Sequence, residues 1–223
     1  MNNKVQSRAA GDASIEAFLG DMERLTGQIG SVRADWAALG GGALGALRSE
    51  VHDAPSLVSF LLRYRTQLLV PVELPTIIQA SQFVARGETE ELLALDRGLA
   101  ELVELAPFSE ASRWVGQCHA RSMRGMRDNR TVWRYCEAVR VGAASGWHSV
   151  VYGIVLGAFA VPLHQGLANY SEELIGGFIE AASKRLALAP DRIVEVRGLV
   201  LSGLERELEE TVSALGPSQL RIV

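Results

Sequence analysis

The sequence predicts an all-α protein, a single-domain bundle of about eight or nine helices. Two observations indicate this fold. Apolar residues recur three and four positions apart along most of the 223 residues, which is the spacing of one helix face. No run of four or more alternating β-branched residues bounded by turn signals occurs, so a β-sheet is not expected. We assign residues 14–215 to this domain, 1–13 to a disordered N-terminal tail and 216–223 to a C-terminal tail.

Capping residues, prolines and glycines indicate the helix boundaries in the first half. Ser14 is an N-cap candidate for a first helix, and the glycine-rich residues 27–42 are expected to form a loop or short helical turns. Asp53 followed by Pro55 is typical of a helix start, and Pro71 is expected to end that helix. Further helices are expected at Pro75–Gly87, at Glu88–Val103, and from the Pro107–Ser109 start to Met123.

In the second half, a polar linker at 124–130 precedes four further helices. They are expected at 131–141, 147–161, 163–188 and 190–214. The apolar run from Val150 to Leu163 has about fourteen residues, fewer than the roughly twenty that span a bilayer, so it predicts a buried core helix and no membrane partner. Within it, Gly153 and Gly157, continued by Ala160, predict a close helix crossing in the core, with a dimer face as the alternative.

Composition and charge exclude several classes of function. The net charge is −4 and the 22 Lys and Arg residues are scattered, so a nucleic-acid partner is not expected. Cys118 and Cys136 predict free, buried thiols in a reducing cytoplasm, with one disulfide as the alternative. The N-terminal residues lack the apolar core of a signal peptide, which also favours a cytoplasmic location.

The motifs of catalysis and of metal binding are missing from the sequence. No histidine has another at i+4, and there is no Cys-x-x-Cys, no Gly-x-Ser-x-Gly and no phosphate-binding Gly-Lys-Ser/Thr. We therefore expect a protein that binds other proteins, not an enzyme. An unrecognised helical enzyme would need His119, His148 or Tyr170 beside a carboxylate. The acidic residues 205–210 favour a solvated face, with docking of a basic partner as the alternative.

Several short motifs together resemble the urease accessory protein F (UreF) family. They are Val51-His52-Asp53-Ala54-Pro55-Ser56-Leu57, Ala111-Ser112-x-x-x-Gly116, Trp147-His148-Ser149-Val150-Val151-Tyr152-Gly153, Leu163-x-x-x-Leu167-x-x-Tyr170 and Ala181-Ala182-Ser183-Lys184-Arg185-Leu186. Their order and spacing carry the resemblance over roughly residues 40–210. Two glycine-bearing motifs of the family are not retained, at residues 32–43 and at 188–192.

The resemblance implies an all-α, dimeric adapter that is not an enzyme. Such a protein binds the accessory protein UreH/UreD, recruits the nickel-delivering GTPase UreG to apo-urease, and handles Ni²⁺ in transit without a stably bound cofactor. The residues carried over as candidate partner contacts are Ala111, Ser112, Gly116, His148, Tyr170, Lys184 and Arg185. For the small residues the alternative is core packing, and for His148 it is a capping or buried polar role. A scaffold of the same fold that no longer serves urease is the alternative function.

Overall fold

The computed structural model describes residues 50–215, and these residues form helices joined by short turns and contain no β-strand. The expected fold class is therefore confirmed. The α-helices are α1 (Ala54–Tyr64), α2 (Leu74–Arg86), α3 (Thr89–Leu99), α4 (Ser109–Ser122), α5 (Arg130–Arg140), α6 (His148–Ala158), α7 (Leu163–Leu186), α8 (Pro190–Leu201) and α9 (Leu204–Leu215). The Ser14 helix, the 27–42 loop and the two tails lie outside the described residues.

The apolar helix α6 lies at the centre of the described residues. It packs most extensively against α2 and next against α4. Helix α7 contacts α8 and α9, and α1 packs against α8. Most residues of α6 are buried, on nearly all sides of the helix. A helix that is apolar all round requires such burial, and the apolar run from Val150 predicted it.

Two glycines of α6 allow the close crossing with α2. A Cβ built on Gly153 would lie 2.5 Å from the carbonyl oxygen of Ile77, and one on Gly157 would lie 2.4 Å from that of Ser81. The expected core crossing is confirmed, and a dimer face at these glycines is wrong because α2 occupies it. Ala160 does not continue this face, since it is exposed, lies beyond the end of α6 and has a φ of 52°.

The start of α1 follows the sequence prediction, but its end does not. Asp53 accepts a hydrogen bond from the Ser56 backbone N–H, and the Ser56 hydroxyl accepts one from the Asp53 N–H, a capping box. Pro71 does not end the helix. A π-helical segment, Arg65–Glu73, carries the chain past the proline and into α2. The wider π turn accommodates a residue that lacks an N–H and whose ring would clash with the preceding turn of an α-helix.

The run Ala54–Arg86 is long and apolar enough to cross a membrane by length and composition. Over half of its most apolar stretch, 56%, is buried inside this protein. Core helices pass the same test of length and composition, so this run by itself does not indicate a membrane span.

The helix predicted to end at Val103 ends at Leu99 instead. A 3₁₀ segment, Val103–Phe108, follows after a short turn. Leu99 and Leu105 are both buried. Six residues apart, they would point about 120° away from each other on one continuous helix, so the break lets both reach the core.

The last predicted helix, 190–214, is two helices in the structure. The chain breaks at Ser202 and at Gly203, which has a φ of +76°. Arg65 donates hydrogen bonds to the carbonyl oxygens of Val200 (2.6 Å) and Ser202 (2.8 Å). In one continuous helix, the backbone N–H groups four residues further on would need these same acceptors. The apolar spacing in the sequence did not reveal this break, because Val200 and Leu204 are four positions apart whether one helix or two contain them.

The two cysteines are free, as expected. Cys136 is buried and Cys118 is partly buried. The linker predicted at 124–130 is also found, as a 3₁₀ turn, Met123–Gly125, followed by turns up to the cap residue Asn129. Helices α5, α6 and α7 lie within a few residues of their predicted bounds.

Candidate functional site

The junction between α4 and the start of α6 contains three of the residues singled out in the sequence. A Cβ on Gly116 would lie 2.1 Å from the carbonyl oxygen of Gly146 and 2.8 Å from the backbone nitrogen of His148, so only glycine fits here. The Ser112 hydroxyl accepts a hydrogen bond from the His148 N–H at 3.2 Å. Because Trp147, the N-cap of α6, makes no side-chain cap, Ser112 satisfies one of the orphan donors of α6 from a neighbouring helix.

A buried carboxylate, Asp96 of α3, holds the turn before α6. It is fully buried and accepts hydrogen bonds from the backbone N–H groups of Ser145, Gly146 and Trp147 and from the Tyr135 hydroxyl at 2.6 Å. Four donors compensate for burying one carboxyl group. The sequence analysis missed this role. Its signal was a charged residue on the apolar face of α3, between Leu92 and Leu99.

Aromatic and imidazole rings form a buried cluster next to this junction. The ring of His148 lies 5.1 Å from that of Tyr170 and 5.5 Å from that of His119, and Tyr152 lies 5.0 Å from Tyr170. Burial, and then the neighbouring His119, lowers the pKa of His148 well below its usual value. His148 is therefore neutral at pH 7 and acts as a ring and hydrogen-bonding group, not as a cation.

A second buried carboxylate, Glu73, closes this cluster at the end of the π segment. The Tyr64 hydroxyl donates to its Oε2 at 2.9 Å. The Tyr170 hydroxyl is close enough to influence it but lies outside the geometry of a standard hydrogen bond. Burial raises the pKa of Glu73 to about 7. The sequence signal for Glu73, also missed, was a lone acid in the apolar run from Leu68 to Leu74.

Lys184 and Arg185 lie apart from these groups. They are fourteen and fifteen residues beyond Tyr170 on α7, about 21 Å along the helix axis. Lys184 is exposed and pairs with Glu180 at 2.9 Å. Arg185 donates to the backbone carbonyl of Val51 and so ties the chain before α1 to the end of α7.

The structure thus separates the seven candidate residues into two groups. Ser112, Gly116, His148 and Tyr170 meet in the core, and Ala111 is buried one position before Ser112. These five residues pack inside this chain, which agrees with the core-packing alternative for the small residues and the capping or buried polar alternative for His148. Lys184 and Arg185 are at the surface. A contact of any of the seven with a partner stays a prediction.

The groups needed for a helical enzyme converge in part. The ring centroid of His148 lies 5.1 Å from that of Tyr170, and the Tyr170 hydroxyl lies close to Glu73. All three side chains are buried, with 4%, 1% and 4% of their surface exposed. Among residues 50–215, no group of three or more His, Cys, Asp or Glu side chains is arranged to hold a metal ion.

These features define a helical protein whose core is organised by a cluster of buried polar groups. Residues 51–196 match the family model named UreF, a match that covers well over half of the 223 residues. The chain therefore belongs to the UreF family, a family of urease accessory proteins. A search of curated proteins gives no match.

Proposed function

We propose that this chain is a urease-maturation adapter. It binds the accessory protein UreH/UreD and recruits the GTPase UreG to apo-urease, where Ni²⁺ is delivered as cargo. It works in the cytoplasm, as a homodimer and without catalysing a reaction itself.

The UreF match is the observation that carries this proposal. It runs from Val51, two residues before the α1 cap, to the middle of α8 and so includes the Asp96 and Gly116 junction and the Glu73 cluster. The matched region thus contains both buried carboxylates and the donors that they use. An adapter has to present preformed surfaces to several proteins, and these contacts fix how the helices pack.

Co-purification tests the proposal directly. The chain is co-expressed with UreH/UreD and UreG from the same organism, and the complex is isolated through a tag on UreH/UreD. We expect all three proteins to elute together, with two copies of this chain by light scattering, and UreG to be lost when this chain is omitted. If neither protein retains the chain, the proposal is wrong.

Reconstitution with apo-urease and Ni²⁺ tests the delivery step. Urease activity should appear only when the chain and both accessory proteins are present. Activity that is the same without the chain would contradict a role in nickel delivery even if the complex forms.

A second candidate function is a UreF-family scaffold that no longer serves urease. It is favoured by the junction between α7 and α8, where a glycine-bearing family motif is replaced. Ala187, not glycine, takes the left-handed conformation there, with a φ of 50°, and Pro190 begins α8. Presence of urease structural genes in the same genome favours the adapter, and their absence favours the scaffold.

A further inference from the structure

A groove between α7 and α9 combines an apolar floor with exposed carboxylates, whereas the polar groups of the core cluster are buried. Its volume is about 200 Å³. Its floor is apolar and is made by Ala168 of α7, Leu201 at the end of α8, and Leu204 and Leu208 of α9. Residues four apart on α7, from His164 through Ala168 to Glu172, lie on the face that lines it.

Two carboxylates from different helices stand at the edge of this floor. Glu172 comes from α7 and Glu205 from the first turn of α9. Both are exposed. Glu172 forms an exposed ion pair with Arg197 at 3.5 Å, a weak pair that a competing cation can share or replace. Glu205 has no ion pair within residues 50–215.

His164 also lines the groove, from the same face of α7 as Glu172. Its Nε2 atom is enclosed and makes no hydrogen bond to the described part of the chain. The polar groups that the groove presents to a partner are therefore its two carboxylates, above an apolar floor.

We propose that this groove receives an arginine side chain of a protein partner in the urease assembly, an inference that rests on the proposed function. An arginine has a methylene stem that suits the apolar floor and a planar guanidinium with five N–H donors. A guanidinium can donate to more than one carboxylate at once, which the single point charge of a lysine does less well.

The charge of α9 supports a basic partner. The helix carries Glu205, Glu207, Glu209 and Glu210 against one basic residue, Arg206. Glu207 is already paired with Arg65 at 2.8 Å, and Arg206 faces Glu210. The negative charge next to the groove is left for a partner to balance.

The groove is also held in a fixed shape from beneath. Arg65 binds the carbonyls of Val200 and Ser202 and the carboxylate of Glu207, which sets the turn between α8 and α9. Leu201 and Leu204 flank this turn. A preformed groove binds with a smaller entropic cost than one that must form on contact.

The test uses the purified full chain and the UreH/UreD–UreG proteins of the same organism. The variant Glu172→Gln/Glu205→Gln neutralises the groove, and Glu90→Gln/Glu91→Gln, exposed on α3, removes the same charge elsewhere. Binding is measured by calorimetry at low and at moderate salt. We expect the groove variant to bind about tenfold or more weakly and to lose part of its salt dependence, while the α3 variant binds like the wild type.

Each other outcome has a definite meaning. If the wild type binds neither protein, the proposed function fails and the groove proposal fails with it. If the wild type binds and the groove variant binds equally well, only the groove proposal is overturned. If the groove instead held Arg221 of this chain, an Arg221→Glu variant would bind as weakly as the groove variant, and that result would also overturn the proposal.

Discussion

Two buried carboxylates in this protein are treated in opposite ways by the structure around them. Asp96, beside α6, accepts four hydrogen bonds, three of them from consecutive backbone N–H groups. Glu73, at the end of the π segment, receives one standard hydrogen bond, from Tyr64, and burial raises its pKa to about 7. Both are about equally inaccessible to water. At similar burial, the two carboxyl groups thus differ in the number of donors that surround them, and the one with a single standard hydrogen bond carries the raised pKa.

The largest expected effect comes from removing the fully satisfied carboxylate. Asp96→Ala leaves three backbone N–H groups and the Tyr135 hydroxyl without their acceptor. We expect a loss of about 4 kcal/mol in the free energy of unfolding, measured by urea denaturation. Glu91→Ala, at an exposed position on α3, serves as the control. A loss below about 1 kcal/mol would show that the donors find water instead, and the comparison would fail.

Replacing Arg65, the first residue of the π segment, tests whether a side chain with all its hydrogen-bond partners stabilises that segment. Its guanidinium has three protein acceptors, the carbonyls of Val200 and Ser202 and the Glu207 carboxylate. Arg65→Met should cost about 3 kcal/mol, because a partly buried carboxylate and two carbonyls lose their donor. Arg206→Met, which breaks the exposed pair with Glu210, should cost under about 0.5 kcal/mol. Equal losses in the two variants would contradict this role.

Glu73→Gln tests the second carboxylate, Glu73, through the dependence of stability on pH. The folded-state pKa of Glu73, about 7, lies above the value of 4.5 for an ordinary glutamate. Its contribution to stability is therefore fully present below about pH 4.5 and is lost as the pH rises through about 7. Glutamine cannot ionise, so the variant should gain about 3 kcal/mol relative to the wild type between about pH 5 and pH 8.

Urea denaturation of both proteins across this pH range measures that gain. His148, whose lowered pKa has the opposite effect, costs stability as the pH falls below its usual value. It is present in both chains and cancels in the difference. A difference between wild type and variant that does not change with pH would show that Glu73 is not protonated near neutrality.

The smallest effects come from a matched pair of tyrosine variants. Tyr135→Phe removes one of four donors from Asp96 and should cost about 1 kcal/mol. Tyr64→Phe removes the hydrogen bond that lowers the pKa of Glu73, so the pH at which its stabilisation is lost should move upwards. Urea denaturation at several pH values measures both the loss of stability in Tyr135→Phe and the shift in pH midpoint in Tyr64→Phe. A pH midpoint that is unchanged in Tyr64→Phe would mean that burial alone sets the pKa.

Much of this architecture was predictable because it depends on local physics. The Asp53–Ser56 capping box, the left-handed Gly87 at the end of α2 and the apolar spacing of α6 follow from residues close in sequence. Pro71 did not end its helix, because a π-helical segment carries the chain past it. A second error fell where a distant residue decides: Arg65, 135 positions before Val200, binds at the break that divides the 190–214 helix.

The candidate site shows the same division. The sequence pointed to Ser112, Gly116, His148 and Tyr170 through a family resemblance, and the structure brings them together. Asp96 and Glu73 were passed over because a single acid on an apolar face gives no indication of its partners. Their donors come from other helices or from the opposite end of a π segment.

By itself, the sequence determined that this chain is all-α, where most of its helices begin, and that it belongs with the urease accessory proteins. Those properties rest on periodicity, caps and ordered motifs, all of which are local or one-dimensional. Only the tertiary structure decided which glycines meet a neighbouring backbone, which acid is satisfied, and where α8 ends. These depend on contacts between residues far apart in the chain, and their energies exceed the local propensities that they override.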